Sequence, residues 1–425
     1  MVLKIKEIMR AETPTTLELR QGWGKLTRHT PEIGVDIIYP DPFSLTAEGD
    51  HGCPAVIQYN PEDIPLEVEF EVPQNLPAKS KYRLVGTQWA GQAKERDGFE
   101  MVSAPFELPK GTKEMMAKGF KASSEIKAPD SPFRIQGKIM WHLVGEDSKP
   151  LGDKIPDFGS VVSHEFYFVL GPSHNLPHIT NEWFRELNEL VFPDFQKIAG
   201  KKWAEVEGLI LQNAVQKLYH LGSHDNLRYD SRRHEGGSPH HLKDKIMYLS
   251  TFFQKEKKLV NCFDLAAVLK LLLLSLGTRK KNGGAYENVI PGLAMTIDQP
   301  WGFIPPGPLF GWLRTEAHFC NNPFWWDEDP KKCLKPQVGT FDTARTHFGK
   351  HCYVKFKNHL GRECAVDACH ALADSKTPGK IFLAIGQQDI AQFRDANMDV
   401  GPIRDSLPGG PPNVSGNYAA LLSPS

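Results

Sequence analysis

The sequence predicts an α+β protein in which an N-terminal antiparallel β-sandwich precedes helices packed on a second antiparallel sheet. Three observations support this prediction. Short runs of alternating apolar and polar residues, separated by Pro- and Gly-bearing turns, fill the chain from about Gly34 to Leu170. Apolar residues at helical spacing follow from Trp183 onward, and strand-like runs return after His351.

The strand signal is clearest in LEVEFEV, Leu66–Val72, where apolar side chains alternate with three glutamates as in a half-buried strand. Several strands at this spacing are typical of a β-sandwich. The other predicted strands of this region are Val35–Tyr39, Ala55–Tyr59, Tyr82–Gln88, Phe133–Ile135, Ile139–Val144 and Glu165–Leu170.

The helical signal appears in Trp183–Leu190 and in Trp203–Leu221, where Trp203, Val206 and Ile210 share one face. A short helix is predicted near Leu242–Phe253. Later strands are predicted near His351–Lys357, Arg362–Asp367 and Lys380–Ile385.

These patterns divide the chain by composition. At 425 residues it is too long for one ordinary domain. The predicted parts are an N-terminal extension (1–33), the β-sandwich (34–170), a linker (171–180), a core (181–400) with an aromatic-rich insert (283–336), and a disordered Pro/Gly-rich tail (401–425).

Bulk composition excludes several classes of partner. Lys+Arg 50 against Asp+Glu 51 leaves a net charge of -1, with no basic surface expected for nucleic acid or an anionic membrane. The charged N-terminus does not resemble a signal peptide, and no apolar run is long enough to cross a bilayer. Seven unevenly spaced cysteines are typical of free thiols in a reducing compartment. We therefore expect a soluble, cytoplasmic protein; its oligomeric state is left open.

The most apolar segment, NCFDLAAVLKLLLLSLG, predicts a buried central helix. Asn261 is a good N-cap, and Asp264 stands three residues on, where a carboxylate completes a capping box. Gly277 is placed to end the helix. The helical spacing is shared by Leu265, Val268, Leu269, Leu272, Leu273 and Leu276.

Cys262 therefore lies in the first turn of this helix. The unsatisfied N–H groups and positive dipole end found there stabilise a thiolate and can also bind an oxyanion. The alternative is that Cys262 is a small buried hydrophobe at a helix start.

A downstream hairpin provides a possible partner for the thiol. In HCYVKFKNHLGRECAVD, two strand-like runs flank a turn that contains Asn358 and Gly361. A hairpin symmetric about His359 would place His351 directly opposite Asp367, so that a carboxylate could hold the imidazole. The alternative is a structural histidine. The other face would be a core face, with Cys352, Val354, Phe356, Cys364 and Val366.

In this order, these residues resemble the transglutaminase-like superfamily, a circularly permuted relative of the papain-type fold. The resemblance lies in a Cys that opens a core helix and is followed by an acidic residue and alanines, a His that begins a strand of the form His-x-aromatic-Val, and an Asp on the next strand. It covers roughly residues 203–385. The matching residues are Cys262, Asp264, Ala266, Ala267, His351, Tyr353, Val354 and Asp367.

The resemblance implies a thiol-dependent acyl-transfer enzyme without a cofactor. Cys262 would attack an amide or ester carbonyl, His351 would move the proton, and Asp367 would orient the imidazole. Asn261 and Asp264 would support the site, with Asn261 or a residue of the preceding helices as a second oxyanion donor. The expected partners are protein, peptide or small-molecule substrates, and hydrolysis, deamidation and transamidation all remain open.

The aromatic-rich insert would cover the cleft, where its tryptophans would either contact substrate or only pack the insert. These tryptophans are Trp301, Trp312, Trp325 and Trp326. Two rival functions remain: an inactive papain-like binding or scaffold protein, and a small-metabolite acyl-transfer or cyclisation enzyme.

Three further groups of residues are less suited to a role in the chemistry. His347 is an alternative base, but it lies in a Gly-flanked loop, whereas His351 begins a strand. A zinc site is not expected, since no CxxC pair is present and the loop histidines lack ligand partners; these are His234, His240 and His241. The run Asp327, Glu328 and Asp329 lacks the alternating oxygen ligands of a calcium loop.

Overall fold

The architecture was analysed in a computed structural model of the chain. The structure describes residues 3–10, 34–35, 45–46, 55–74, 76, 81–88, 98–124, 129–145, 159–170, 189, 191–224, 228–229, 242–243, 246–247, 252, 259–280, 284–298, 307–308, 319–320, 351–369, 371–373, 381–383 and 388–389.

The described residues form an α+β protein, as predicted, with helices and mainly antiparallel sheets. The helices are α1 (Phe195–Ile198), α2 (Trp203–His224) and α3 (Cys262–Leu274). The strands are β1 (Lys4–Arg10), β2 (Gly34–Val35), β3 (Leu45–Thr46), β4 (Ala55–Gln58), β5 (Leu66–Glu71), β6 (Tyr82–Gln88), β7 (Glu100–Val102), β8 (Glu114–Ala117), β9 (Lys121–Ala122), β10 (Phe133–Gly145), β11 (Gly159–Val169), β12 (Arg228–Tyr229), β13 (Leu242–Lys243), β14 (Ile246–Met247), β15 (Leu259–Val260), β16 (Thr278–Lys280), β17 (Tyr286–Asn288), β18 (Ala294–Asp298), β19 (Gly307–Pro308), β20 (Phe319–Cys320), β21 (His351–Lys357), β22 (Glu363–Val366), β23 (Ala371–Ala373), β24 (Ile381–Leu383) and β25 (Gln388–Asp389).

The chain divides into two compact units. The first contains residues 1–24, 38–206 and 275–289, and the second contains residues 25–37, 207–274 and 290–425. The catalytic candidates Cys262, His351 and Asp367 all belong to the second unit.

Two larger sheets occur in the first unit. One has the order β3-β1-β5-β8 and the other has the order β4-β11-β10-β6-β7-β9. The predicted alternation is confirmed in β5, where residues from Leu66 to Glu71 are alternately buried and half-buried. Strand β1, from the segment predicted to be an extension, pairs with β5.

The structure corrects two details of the predicted first region. The two strands predicted at 133–135 and 139–144 are one continuous strand, β10, which passes through Gly137 at a φ of 110°. Strand β4 pairs with β11 in parallel, so the sheet is not wholly antiparallel. Sequence periodicity identifies strands but does not specify the direction of their neighbours.

Aromatic packing fills the interior of the first unit. The rings of Phe133 and Phe168, from neighbouring strands β10 and β11, stack with their centroids 4.7 Å apart. Phe195 of α1 packs against Phe133 at 5.3 Å, which attaches this short helix to the sheet. All three rings are almost completely buried, so α1 is held mainly by apolar contact.

In the second unit, α3 packs against the sheet that has the order β18-β21-β22-β25, with its main contacts to β21 and β18. Nearly every residue of α3 is buried, as the sequence predicted for a central helix. Gly277 has a φ of 88°, the left-handed conformation of a helix-ending glycine. Strand β18, which lies within the predicted insert, is a strand of this sheet.

The prediction of a short helix near Leu242–Phe253 is wrong at residues 242–243 and 246–247. Strands β13 and β14 pair antiparallel there, and β14 pairs in parallel with β2. Pairing with a segment some 200 residues away explains why local spacing did not indicate these strands. The predicted helix over Trp183–Leu190 lies outside the described residues apart from Glu189, as do the predicted linker and tail.

Within the described residues, no helix is both long enough and apolar enough to span a membrane.

A buried histidine in β10 predicts a pH-dependent stability. Burial lowers the pKa of His142 from 6.5 to about 4, against a smaller opposing contribution from the Met140 backbone. The unfolded chain therefore binds this proton more readily than the folded chain does. The free energy of unfolding should fall by about 3 kcal/mol as the pH drops from 6.5 to 4, since each pKa unit corresponds to about 1.36 kcal/mol.

Urea unfolding at several pH values checks this prediction. His142→Phe removes the titrating group, so the free energy of unfolding should change much less between pH 6.5 and pH 4. An unchanged dependence on pH in that variant would contradict the assignment.

Candidate functional site

The amino terminus of α3 is closed by a reciprocal cap. The Asn261 side-chain oxygen accepts hydrogen bonds from the backbone N–H of Phe263 at 2.9 Å and of Asp264 at 3.0 Å. In return, the Asp264 carboxylate accepts from the Asn261 N–H at 3.1 Å. This is the capping box that the sequence predicted. Both capping side chains are buried, which shields these bonds from water.

Cys262 lies inside this cap, in the first turn of α3, and is only 6% exposed. Asn261 occupies the next two backbone N–H groups, and the Leu265 N–H bonds to the Asn261 carbonyl at 3.1 Å. Cys262 itself is the first residue of the helix, a position whose backbone N–H has no acceptor within the helix.

The hairpin that follows differs in register from the prediction. Val354 pairs with Val366 and Lys357 pairs with Glu363, so the hairpin is centred on Leu360 rather than on His359. The predicted direct pairing of His351 with Asp367 is therefore wrong. Continuing the observed register by one residue puts Asp367 opposite Tyr353.

The turn explains this register. The Asn358 N–H bonds to the Arg362 carbonyl at 3.0 Å, and the Asn358 side-chain oxygen accepts from the N–H groups of Leu360 and Arg362. Gly361 takes a φ of 75°. A three-residue loop with glycine in the left-handed position is a common hairpin connection. Asn358 and Gly361 are thus the turn residues that the sequence indicated, with the centre one residue later.

Residues Cys352, Val354, Phe356, Cys364 and Val366, predicted to form a core face, are all buried. Tyr353 and Ala365 of the opposite face are buried as well. Both faces of the hairpin are therefore buried along much of its strands, and its exposed residues lie mainly at the tip.

Two further buried thiols, Cys352 and Cys369, lie close enough to Cys262 to interact with it electrostatically. Burial raises the pKa of Cys352 well above its usual value, and negative charge on Cys262 and Asp367 raises it further. Burial and then the charge of Asp367 also raise the pKa of Cys369. Both thiols are therefore held in the protonated, unreactive form at neutral pH.

Asp367 bonds to Cys369 in two ways. Its carboxylate accepts the Cys369 backbone N–H at 2.9 Å and also a hydrogen bond from the Cys369 thiol. The carboxylate predicted to orient His351 thus stabilises the chain just beyond β22.

His351 is the first residue of β21, as predicted, and its neighbour on the other side is Asp298 of β18. Asp298 was not predicted as a site residue, because it lies in the segment 283–336, whose composition indicated an insert. The alternation of Met295 and Ile297 with Ala294, Thr296 and Asp298 was the available signal for a strand.

Several predicted residues lie outside the described part of the chain. They are Trp301, Trp312, Trp325, Trp326, His347, His234, His240, His241, Asp327, Glu328 and Asp329. Among the residues that the structure does describe, no group of three or more His, Cys, Asp or Glu side chains is arranged to hold a metal ion.

Comparisons with protein-family models, with curated proteins and with solved structures found no match to this chain.

The tip of the hairpin is held by a buried carboxylate. Glu207 of α2 has no exposed surface, and its Oε2 atom accepts the His359 backbone N–H at 3.1 Å and lies 2.6 Å from the His359 ring Nδ1. Neither the carboxylate nor the histidine was identified from sequence, because the two are 152 residues apart.

The helix cap should contribute measurably to stability. Asn261→Ala removes the acceptor of two backbone N–H groups and should lower the free energy of unfolding by about 1 kcal/mol, within the range of roughly 0.5–2 for such losses. Urea unfolding followed by circular dichroism measures this change. Asn261→Ser retains a side-chain oxygen and should restore most of the loss; equal effects of the two substitutions would argue against the cap.

Glu207 should control the order of the hairpin tip. Glu207→Ala leaves the backbone N–H and the ring Nδ1 of His359 without their acceptor. It should lower the free energy of unfolding by about 2–3 kcal/mol, since hydrogen bonds to a charged group contribute roughly 1.5–3 kcal/mol. Amide hydrogen exchange at His359 should become much faster. Gln216→Ala, at an exposed position on the same helix, is the control and should leave that exchange rate unchanged.

Proposed function

We propose that this protein is a thiol-dependent acyl-transfer enzyme in which Cys262 is the nucleophile and His351 is the general base. One observation carries the proposal. Cys262 occupies the capped first turn of a buried helix, and that helix packs against the strand that begins at His351. A thiol beside a helix amino terminus is in the environment that favours thiolate chemistry.

The chain order supports a transglutaminase-like core for the second unit. The helix that begins with Cys262 comes first, then the strand that begins with His351, then the strand that precedes Asp367, and the two strands are neighbours in one antiparallel sheet. For the first unit, the presence of two larger sheets and the burial of many aromatic side chains support the proposed β-sandwich.

The proposed reaction proceeds through a thioester. The Cys262 sulfur attacks an amide or ester carbonyl while His351 holds the thiol proton, and the N–H of Cys262 stabilises the oxyanion. As the carbonyl-to-heteroatom bond breaks, His351 gives the proton to the leaving amine or alcohol. Water or an amine then attacks the thioester carbonyl and gives a proton to His351, the carbon–sulfur bond breaks, and the Cys262 thiolate takes that proton back. The outcome is hydrolysis, deamidation or transamidation. The four tryptophans of the insert are the proposed substrate contacts.

A second candidate function is a binding or scaffold protein that retains this fold without turnover. A specific observation favours it: the Asp367 carboxylate bonds to the Cys369 N–H and thiol, and Cys262 is almost entirely buried. Both the bonded carboxylate and the buried thiol are expected of residues that are maintained for packing alone. A scaffold protein of this kind would bind its partner in a fixed ratio whether or not Cys262 is present.

Alkylation with iodoacetamide distinguishes the two functions. We expect Cys262 to be carboxamidomethylated well below pH 8 in the wild-type protein. In His351→Ala its rate at pH 6.5 should fall about tenfold or more, because a nearby imidazolium favours the thiolate. Peptide mass spectrometry against pH measures the rate at each cysteine.

Cys352 and Cys369 are internal controls in the same sample. Burial raises the pKa of both thiols, so they should remain unlabelled until the chain unfolds. If Cys262 is alkylated as slowly as these two, and at the same rate in His351→Ala, the enzyme proposal fails and the scaffold function replaces it.

A further inference from the structure

We propose that Asp298 is the carboxylate that orients the imidazole of His351, which makes Asp298 a positioning residue of the acyl-transfer site. The inference rests on the proposed function for the role of His351 as a base. The pairing itself rests on the register of two strands and is tested separately.

The register of β18 with β21 is continuous. Five successive residue pairs run from Ala294 opposite Lys355 to Asp298 opposite His351, without a bulge or shift. Directly opposed residues of antiparallel strands lie on the same face, with Cβ atoms roughly 4.5–5.5 Å apart. This separation is one that a short carboxylate and an imidazole can bridge with a hydrogen bond.

Strand β22, on the other side of β21, does not place a carboxylate directly opposite His351. Val354 pairs with Val366, and continuing that register puts Asp367 opposite Tyr353. Asp367 is thus a diagonal neighbour of His351, and diagonal neighbours are roughly 7–8 Å apart. Diagonal neighbours can still be joined by aromatic or long side chains, but the directly opposed position is closer.

Asp367 is also engaged elsewhere. Its Oδ1 atom accepts the backbone N–H of Cys369 at 2.9 Å, and the carboxylate takes a further hydrogen bond from the Cys369 thiol. The Oδ1 atom of Asp367 is thus committed to Cys369. Asp298 is therefore the acidic residue whose register position best suits His351.

The chemical consequence concerns both charge and tautomer. A carboxylate beside an imidazole favours the protonated ring, and a hydrogen bond to one ring nitrogen leaves the other free to exchange a proton with the thiol. Asp298 would thus stabilise the imidazolium that forms when Cys262 loses its proton. No bond to Asp298 forms or breaks in this step.

The test is an NMR titration of His351 in the full-length protein with carbon-13 at the histidine ring ε1 position. Comparison with His351→Ala identifies its signal among the 16 histidines. Asp298→Asn keeps the side-chain size and removes the charge. We expect it to lower the pKa of His351 by about one unit or more, since a neighbouring opposite charge shifts such groups by roughly 1–3 units.

Asp367→Asn is the matched variant, because it removes the other carboxylate by the same substitution. It should shift the pKa of His351 by less than half as much as Asp298→Asn does. An equal or larger shift in Asp367→Asn, or no shift in Asp298→Asn, overturns the inference. Asp298→Glu retains the charge and should keep the His351 pKa closer to the wild-type value than Asp298→Asn does, which separates a charge effect from a folding defect.

This readout does not depend on catalysis. A lowered His351 pKa in Asp298→Asn together with an unreactive Cys262 would support the pairing and remove the enzyme proposal. A reactive, His351-dependent Cys262 with no response to Asp298→Asn would support the enzyme proposal and overturn the role of Asp298.

Discussion

The capped amino terminus of α3 is the constraint on which the second unit depends. The first N–H groups of a helix that is buried along almost its whole length are costly to leave without partners, because they lose their solvation. Asn261 and Asp264 supply acceptors for three N–H groups at this end, those of Asn261, Phe263 and Asp264. Their reciprocal bonds place Cys262 in the first turn and hold its backbone N–H in a defined direction.

Cys262, Cys352 and Cys369 are all buried but differ in their neighbours. Cys352 and Cys369 lie near an acidic side chain that disfavours their ionisation, and Cys369 uses its thiol as a hydrogen-bond donor. Cys262 instead lies at a helix start, where the backbone offers positive dipoles. The local environment therefore differs between thiols that are all buried.

Other elements set the pairing register of strand β21 with both of its neighbours. The Asn358–Arg362 turn sets its register with β22, and Glu207 of α2 holds the tip of that turn through His359. On the other side, β18 pairs with it residue by residue as far as Asp298. Because a shift of register moves every side chain relative to its neighbours, these contacts determine which carboxylate lies opposite His351.

Local patterns determined the elements of this protein. The apolar spacing of α3, its cap residues, its terminal glycine and the alternation in β5 all act over a few residues, and the structure contains each of them. The strand that begins at His351 was predictable for the same reason. Only the tertiary structure decided the register of the hairpin, the membership of β18 in the sheet, and the approach of Cys352 and Cys369 to Cys262. Those features depend on the pairing and packing of segments far apart in the chain, and such contacts leave no periodic signal in the sequence.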